Sequence, residues 1–333
     1  MSFFSRVLRR RPASVAAAVV LAATLAACGS PGGGDADSGS GTASAGGSEA
    51  VFPRTVQHHQ GETVIEAKPE RVVALDNSLV EAVVALDAPL VGGIGSYRDQ
   101  SGFPEYLGDA VKDTKDVGPM ATPDLEAIAA LQPDLIVSAS VRHEALYDEL
   151  SAIAPTVFVE TTGPIWKQNI RDLGTALGEE DKAAEVLTAY ETRAAKLGKA
   201  INDKAGNPTV SMVRFVDGPT RLYANKSFSG IVFRDMGLAR PADQAVDAFS
   251  VEIGEEEIRK ADADHIFVTV YSGAEATAES FRRNPLWGGL KGVQANNVHQ
   301  VEDAIWMTSV SLQGADLMMD DMAEVFGVDP MKP

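Results

Sequence analysis

The sequence has 333 residues, a formal net charge of −18 and one cysteine. So acidic a chain argues against nucleic acid and anionic lipid surfaces as partners, and a lone cysteine excludes an internal disulfide. The five histidines are scattered and form no HExxH pair, so we expect no metal centre built by the protein itself. No nucleophile–base motif, dinucleotide fingerprint or Walker-type loop occurs, and nothing therefore favours an enzyme.

The first residues have the pattern of a secretory signal peptide. Four arginines precede an apolar stretch that begins at Val15 and ends in small residues before Cys28. This stretch is shorter than the roughly 20 residues that a membrane-spanning helix needs. Cys28 stands at a position that resembles a bacterial lipobox. The resemblance implies that residues 1–27 are removed and that the Cys28 thiol is lipidated; an ordinary signal peptide with an incidental cysteine is the alternative.

Residues 28–50 consist mainly of glycine, serine, alanine and aspartate. Such a segment cannot bury enough apolar surface to offset the entropy lost on ordering, so we expect a flexible tether. A tether beside a lipidation site would hold a folded domain close to a membrane.

Strands and helices alternate through the first half of the folded part, which we expect to begin at residue 51. Short runs rich in valine, isoleucine and leucine predict strands, and apolar residues at helical spacing predict helices. The predicted strands are residues 71–75, 90–94, 134–138 and 156–159. The predicted helices are residues 77–86, 123–131 and 142–151, the first capped by Asp76 or Asn77.

A long helical stretch, residues 167–202, follows; it contains Gly174 and Gly178 but no proline. The alternation then resumes, with strands predicted at 209–215, 265–270 and 298–301 and helices at 229–236, 255–260 and 309–326. Strands separated by helices indicate βαβ units. We therefore predict an α/β fold of two lobes with mainly parallel sheets: an N-terminal lobe over 51–165, one long connecting helix over 166–204 and a C-terminal lobe over 205–333.

A weak internal echo links the two predicted lobes. In each lobe a helix carrying a glutamate leads into a strand preceded by an aspartate. Glu126 and Asp134 are eight residues apart, as are Glu256 and Asp264. The echo predicts equivalent positions in two similar lobes, although helix–strand units resemble one another in any case.

Three segments carry a resemblance to a known family: residues 68–75 (KPERVVAL), 117–136 and 284–299. They resemble the solute-binding lipoproteins of iron–siderophore ABC importers, a group that also includes cobalamin and haem carriers. The resemblance implies two Rossmann-like lobes, a ligand cleft between them, and little closure on binding. It also implies one exposed glutamate on each lobe that docks on the permease dimer, and the matching positions here are Glu126 and, less clearly, Glu256.

A ferric siderophore arrives with its iron already coordinated, so no cofactor is expected. The protein needs arginines for the anionic groups of the complex and aromatic rings for its apolar faces. Such side chains should lie on loops at strand ends that face the cleft. Two further positions are favoured: the start of the connecting helix at the lobe junction, and an arginine inside an apolar strand, which needs an acidic partner or a ligand. The candidates are Arg98, Arg142, Trp166, Arg214, Arg221, Tyr223, Tyr271 and Trp306.

We expect a monomer, anchored at the outer face of the cytoplasmic membrane, that captures a ferric siderophore and delivers it to an ABC permease. The candidate arginines favour an anionic complex of catecholate or citrate type, and a hydroxamate remains open. A cobalamin or haem carrier of the same fold is the alternative, with Tyr223 or Tyr271 available as an axial haem ligand. A zinc or manganese carrier and an exported α/β enzyme are weaker alternatives.

Overall fold

The computed structural model describes residues 50–95 and 101–332. The predicted signal peptide, Cys28, Arg98 and all of the tether except Ala50 lie outside these ranges. The folded part begins with an antiparallel hairpin, β1 (Arg54–His58) and β2 (Gly61–Ile65), which the alternation of strands and helices did not predict. The backbone N–H of His59, in its turn, donates to the carbonyl of Phe158, so the hairpin rests on the first lobe.

The first lobe contains a five-stranded parallel sheet in the order β5-β4-β3-β6-β7. Its strands are β3 (Val72–Ala74), β4 (Leu90–Gly93), β5 (Lys115–Asp116), β6 (Leu135–Ala139) and β7 (Thr156–Val159). Its helices are α1 (Asn77–Ala85), α2 (Leu125–Ala130), α3 (Ser140–His143) and α4 (Tyr147–Ser151), with 3-10 turns at Glu105–Val111 and Glu144–Leu146. Side chains alternate across the central strand, with Val72 and Ala74 packing on one face and Val73 on the other.

The predicted connecting helix is two helices, α5 (Trp166–Leu177) and α6 (Glu180–Ala205). The break falls at Gly178, whose φ of 71° places it in the left-handed region that favours glycine at a helix end. The expectation of one uninterrupted helix is therefore corrected: α6 alone forms the long element.

Helix α6 buries one stripe of apolar side chains at helical spacing, including Leu187, Tyr190 and Leu197. This stripe shares a continuous apolar core with helices and strands of both lobes. Gly198 allows a close approach to the second lobe, because a Cβ at this position would lie 1.6 Å from the carbonyl oxygen of Met236. The connector therefore packs on both lobes, α5 against α1 and β7 and α6 against helices of the second lobe.

The second lobe has a five-stranded sheet in the order β10-β9-β8-β11-β12. Its strands are β8 (Val210–Phe215), β9 (Thr220–Tyr223), β10 (Ser250–Ile253), β11 (His265–Val270) and β12 (Val298–Gln300). Its helices are α7 (Phe228–Asp235), α8 (Glu275–Arg283), α9 (Pro285–Gly288), α10 (Lys291–Gln294) and α11 (Leu312–Phe326), with a 3-10 helix at Glu255–Ala261 and a π-helix at Ala304–Thr308. Strand β9 runs antiparallel to both neighbours, and the other pairings are parallel.

The echo between the lobes corresponds to the same backbone contact made twice. The carboxylate of Asp134 accepts the backbone N–H of Arg71, the residue before β3, at 2.9 Å. The carboxylate of Asp264 accepts the backbone N–H of Thr209, the residue before β8, also at 2.9 Å. In each lobe the aspartate directly precedes the strand that pairs with the central strand. Asp134 and Asp264 therefore occupy equivalent positions in the two lobes.

Candidate functional site

A cleft of about 320 Å³ lies between the two lobes. One wall comes from residues that follow strands of the first lobe: Asp76 and Asn77 after β3, Val141 and Arg142 after β6, and residues 161–164 after β7. The opposite wall comes from the second lobe: Arg214, Arg221 and Tyr223 on β8 and β9, Phe249 before β10, and Met307, Thr308 and Val310 near the π-helix. The carboxyl ends of parallel strands thus face the cleft in the first lobe, as expected for an α/β ligand site.

Arg142 on the first wall is held by Asp76. The Asp76 carboxylate caps helix α1 by accepting the backbone N–H of Ser78 at 2.9 Å. Its other oxygen accepts the Nε–H of Arg142, also at 2.9 Å. The Arg142 side chain is 33% exposed, so the outer part of its guanidinium remains accessible to a ligand.

Arg214 on the second wall is held more firmly. Its Nε and Nη2 donate to the two carboxylate oxygens of Asp303 at 2.7 and 2.6 Å, and its Nη1 donates to the Tyr223 hydroxyl at 3.1 Å. The ring of Tyr271 lies 5.1 Å from the guanidinium carbon. Burial alone would lower the pKa of Arg214, but Tyr223 and Asp303 together raise it above its ordinary value. The side chain is therefore a permanent, preorganised cation.

Arg221 and Phe249 form the outer edge of the same wall. The Nε of Arg221 donates to Glu252 at 3.3 Å in an exposed pair, which leaves the Arg221 side chain free to turn towards a ligand. Phe249 is 48% exposed, and its ring meets the ring of Tyr223 edge-on at 5.3 Å. Exposed aromatic surface at a cleft mouth suits a ligand with an apolar face.

Four of the eight predicted ligand residues therefore line one cleft, namely Arg142, Arg214, Arg221 and Tyr223. Tyr271 is half-buried and covers Arg214 rather than lining the cleft. The structure does not bring the other two described candidates, Trp166 and Trp306, to the cleft.

Both tryptophans lie in the apolar core. Trp166 is 2% exposed and packs edge-on against Tyr190 and Phe228. Trp306 is fully buried, stacks on Phe267 and donates its indole N–H to Asp321 at 2.7 Å. Burial of a large apolar ring in the core stabilises the fold more than exposure to a solvated cleft would.

The sequence reasoning missed Asp303, which holds Arg214, and Phe249, which lines the cleft. Arg214 on an apolar strand signalled the need for a partner, but Asp303 lies 89 residues further along the chain, so its identity could not be inferred. Phe249 carries no local signal, because the loop before β10 has no apolar periodicity.

The two glutamates of the echo are both exposed, in the first turn of α2 and of the 3-10 helix at Glu255–Ala261. In the second helix the neighbouring acids are engaged: Glu255 accepts from Ser280 at 2.7 Å, and Glu257 pairs with Lys260. Within residues 50–95 and 101–332, neither Glu126 nor Glu256 forms a hydrogen bond or an ion pair through its side chain. Glu256 is thus the free member of its acidic run.

In the described part of the chain, no three side chains of histidine, cysteine, aspartate or glutamate come together as metal ligands. The same ranges contain no helix with the length and apolar character to cross a membrane.

The profile of the periplasmic binding protein family matches residues 72–304. The chain is 37% identical over 286 residues to the probable siderophore-binding lipoprotein YfiY of Bacillus subtilis, an alignment that covers 82% of this chain and 87% of that protein. It is 31% identical over 268 residues to the achromobactin-binding periplasmic protein of Dickeya dadantii, covering 78% and 87%. Among solved structures, Staphylococcus aureus SirA complexed with staphyloferrin B matches with a TM-score of 0.76 and 31% identity, over 83% of this chain and 99% of that one.

Proposed function

Because this chain belongs to the periplasmic binding protein family, we propose that it captures a ferric siderophore outside the cytoplasmic membrane and delivers it to an ABC import permease. The observation that carries the proposal is the convergence of Arg142, Arg214 and Arg221 on one cleft between two lobes. Similarity to proteins named for siderophore and achromobactin binding, and to a structure holding staphyloferrin B, supports the same ligand class.

The ligand is an anionic iron(III) complex. Arginine forks onto carboxylate and catecholate oxygens, and each charge-assisted hydrogen bond contributes roughly 1.5–3 kcal/mol. Arg214 uses three N–H groups on Asp303 and Tyr223, which leaves two for the ligand. The iron stays within its chelator, so the protein supplies positioning and charge rather than metal ligands. An anionic complex of citrate or catecholate type fits this wall better than an uncharged hydroxamate complex.

Delivery of the complex to the permease depends on the two exposed glutamates, Glu126 and Glu256. Helix α2 starts after β5, at the carboxyl edge of the first sheet, which is the edge that faces the cleft. The 3-10 helix starts after β10, which runs parallel to β8 because both are antiparallel to β9. Glu126 and Glu256 therefore occupy the same edge of their respective sheets. We propose that a monomer presents these two carboxylates to the two halves of a permease dimer.

The chain is held at the membrane by lipid on Cys28, with residues 28–50 as a tether. This arrangement keeps the captured complex near its permease and places the domain at the outer face of the cytoplasmic membrane. Similarity to a relative named as a lipoprotein supports the anchor.

Isothermal titration of the mature protein in detergent tests the ligand class. The panel is ferric citrate, a ferric catecholate and a ferric hydroxamate, each with its iron-free chelator, together with haem and cobalamin. We expect tight binding of an anionic ferric complex and much weaker binding of its iron-free form. Tight binding of haem or cobalamin, with no binding of any ferric chelate, would overturn the proposal.

A further inference from the structure

Glu81, on helix α1, is a fully buried acid outside the cleft. Its Oε1 accepts the hydroxyl of Tyr106 at 2.7 Å, and its Oε2 accepts the hydroxyl of Ser309 at 2.6 Å. Tyr106 belongs to the first lobe, whereas Ser309 lies just after the π-helix of the second. Burying an ionised carboxylate without hydrogen-bond partners destabilises a protein by on the order of several kcal/mol. The two hydroxyl donors therefore stabilise Glu81 in its buried position.

Two further hydrogen bonds join the same elements. The side-chain amide of Asn77 donates to the carbonyl of Thr308 at 2.6 Å. The side-chain amide of Gln313 donates to the backbone carbonyl of Glu81 at 2.9 Å. Helix α1 is therefore tied to the 308–313 segment at three points, with Glu81 in the middle.

Each tied element also holds one of the ligand arginines. Helix α1 begins at Asp76, which binds Arg142. The 308–313 segment starts at the last residue of the π-helix. This π-helix begins after Asp303, which binds Arg214. Single π-helical turns are rare and frequently occur at functional sites. The hydrogen bonds at Glu81 thus link the element that begins at Asp76 to the segment that follows Asp303, and these two aspartates hold the arginines on opposite walls of the cleft.

We propose that Glu81 is a positioning residue for ligand capture: it fixes the separation of Arg142 and Arg214 across the cleft, and it takes up a proton when an anionic complex binds. The proposal rests on the function proposed above. Glu81 does not touch the ligand; it acts through α1 and the 308–313 segment.

The proton coupling follows from the charges around Glu81. Among residues 50–95 and 101–332, the groups that act on it are Tyr106 from the first lobe, Asp76 at the start of its own helix, and Ser309 with the backbone of Val310 from the second lobe, and none of these is a cation. Burial raises the pKa of Glu81 to about 7; hydrogen bonds from Ser309 and Tyr106 oppose the rise, and the charge of Asp76 adds to it. The ionised carboxylate therefore repels an anion placed beside Asn77 and Thr308.

Linkage sets the direction of the effect. If an anion raises the pKa of Glu81 further, its affinity must rise as the pH falls through about 7. Glu81→Gln is neutral at every pH and keeps an oxygen to accept one of the two hydroxyl donors. It should bind like the wild type at pH 6 and roughly 3- to 10-fold more tightly at pH 8.

The test is the ratio of ferric citrate affinities of Glu81→Gln and wild type between pH 6 and pH 8, measured on the mature protein in detergent. The ratio cancels the pH-dependent chemistry of ferric citrate itself. The matched control is Glu185→Gln, because Glu185 is an exposed acid on α6 away from the cleft; its ratio should stay constant. A constant ratio for Glu81→Gln would overturn the inference.

A second variant keeps the acid and changes its surroundings. Ser309→Ala removes a donor that lowers the pKa of Glu81, so the midpoint of the affinity profile should move to higher pH. It should also weaken binding roughly 3- to 10-fold at pH 6, because one of the three ties is lost. An unchanged midpoint would contradict the inference even if Glu81→Gln fails to fold. A wild-type protein that binds no ferric chelate would refute the proposed function as well, whereas normal wild-type binding with a flat ratio refutes the inference alone.

Discussion

Arg214 and Asp303 form a two-point ion pair across 89 residues of sequence, with donor–acceptor distances of 2.7 and 2.6 Å. The pair is mostly buried, with 10% and 15% of the two side chains exposed. Because Asp303 engages the Nε side of the guanidinium and Tyr271 covers one of its faces, Arg214 cannot change rotamer freely. The Arg214 side chain loses its conformational entropy on folding, so ligand binding does not have to order it. This preorganisation favours binding.

Arg214→Ala should weaken binding of the cognate ferric complex by roughly 10- to 100-fold, since a charged hydrogen bond to a ligand contributes about 1.5–3 kcal/mol. Titration calorimetry measures the change, and Arg283→Ala, which removes an arginine that is 70% exposed on α8, is the matched control. Unchanged affinity would remove Arg214 from the site. A large fall in melting temperature would show that its role is to support the fold.

Charge reversal at both proposed docking positions, Glu126→Lys with Glu256→Lys, should abolish uptake of the iron complex by cells while leaving its affinity for the purified protein intact. Neither glutamate lines the cleft, so the two readouts should separate. Glu149→Lys with Glu185→Lys makes the same charge change at two other exposed acids and should leave uptake normal. Normal uptake by the docking variant would refute the assignment, and loss of ligand binding would assign these acids to the cleft or the fold.

Cys28→Ser should abolish lipidation, because Cys28 is the only thiol in the chain. The variant should either leave the membrane fraction or retain residues 1–27. Metabolic labelling with a fatty acid, followed by fractionation, measures both effects. Labelling of the variant as strong as that of the wild type would contradict the lipid anchor.

The free energy of unfolding should depend on pH because Glu81 titrates at different pH values in the folded and unfolded protein. Its pKa is about 7 in the folded protein against an ordinary value of 4.5, so its favourable contribution is present below pH 4.5 and is lost as the pH rises to 7. Relative to wild type, Glu81→Gln should gain free energy of unfolding between pH 4.5 and pH 8, on the order of 3 kcal/mol. Urea unfolding at both pH values gives the difference, with Glu185→Gln as the control. No change in the difference with pH would mean that folding does not raise the pKa of Glu81.

Gly198→Ala should destabilise the protein by about 2 kcal/mol or more, because the new Cβ would collide with the backbone of Met236. Lys199→Ala, one residue away and 75% exposed, should change stability by less than about 0.5 kcal/mol. Chemical unfolding of both variants is the measurement. Equal stability of the two would show that α6 can move away from the second lobe without cost.

Local patterns in the sequence predicted the regular parts of the fold well. The strand at 265–270 has the predicted bounds, and Asp76 caps α1 through its side chain as one of the two caps considered. These features depend on periodicity and on one residue's capping chemistry, both of which are local.

Features that depend on contacts between distant segments could not be predicted. Strand β9 is four residues long and acquires its antiparallel pairing only from β8 and β10. Trp166, at the start of the connecting helix, and Trp306, after a strand, were expected at the cleft, but whether such a ring faces solvent or core depends on the elements that pack around it. The sequence shows a glycine at position 178 but not its backbone conformation, and the left-handed conformation is what ends α5 there.

The first described residues of the chain pack against the break between α5 and α6. A Cβ on Gly178 would lie 2.8 Å from the Cβ of Ala50, and Arg54 binds both Thr175 and Glu180 on the two sides of the break. A force applied to the chain from its N-terminal side therefore acts on the break between α5 and α6 rather than on either wall of the cleft. The proposed lipid anchor would therefore transmit membrane tension to this break.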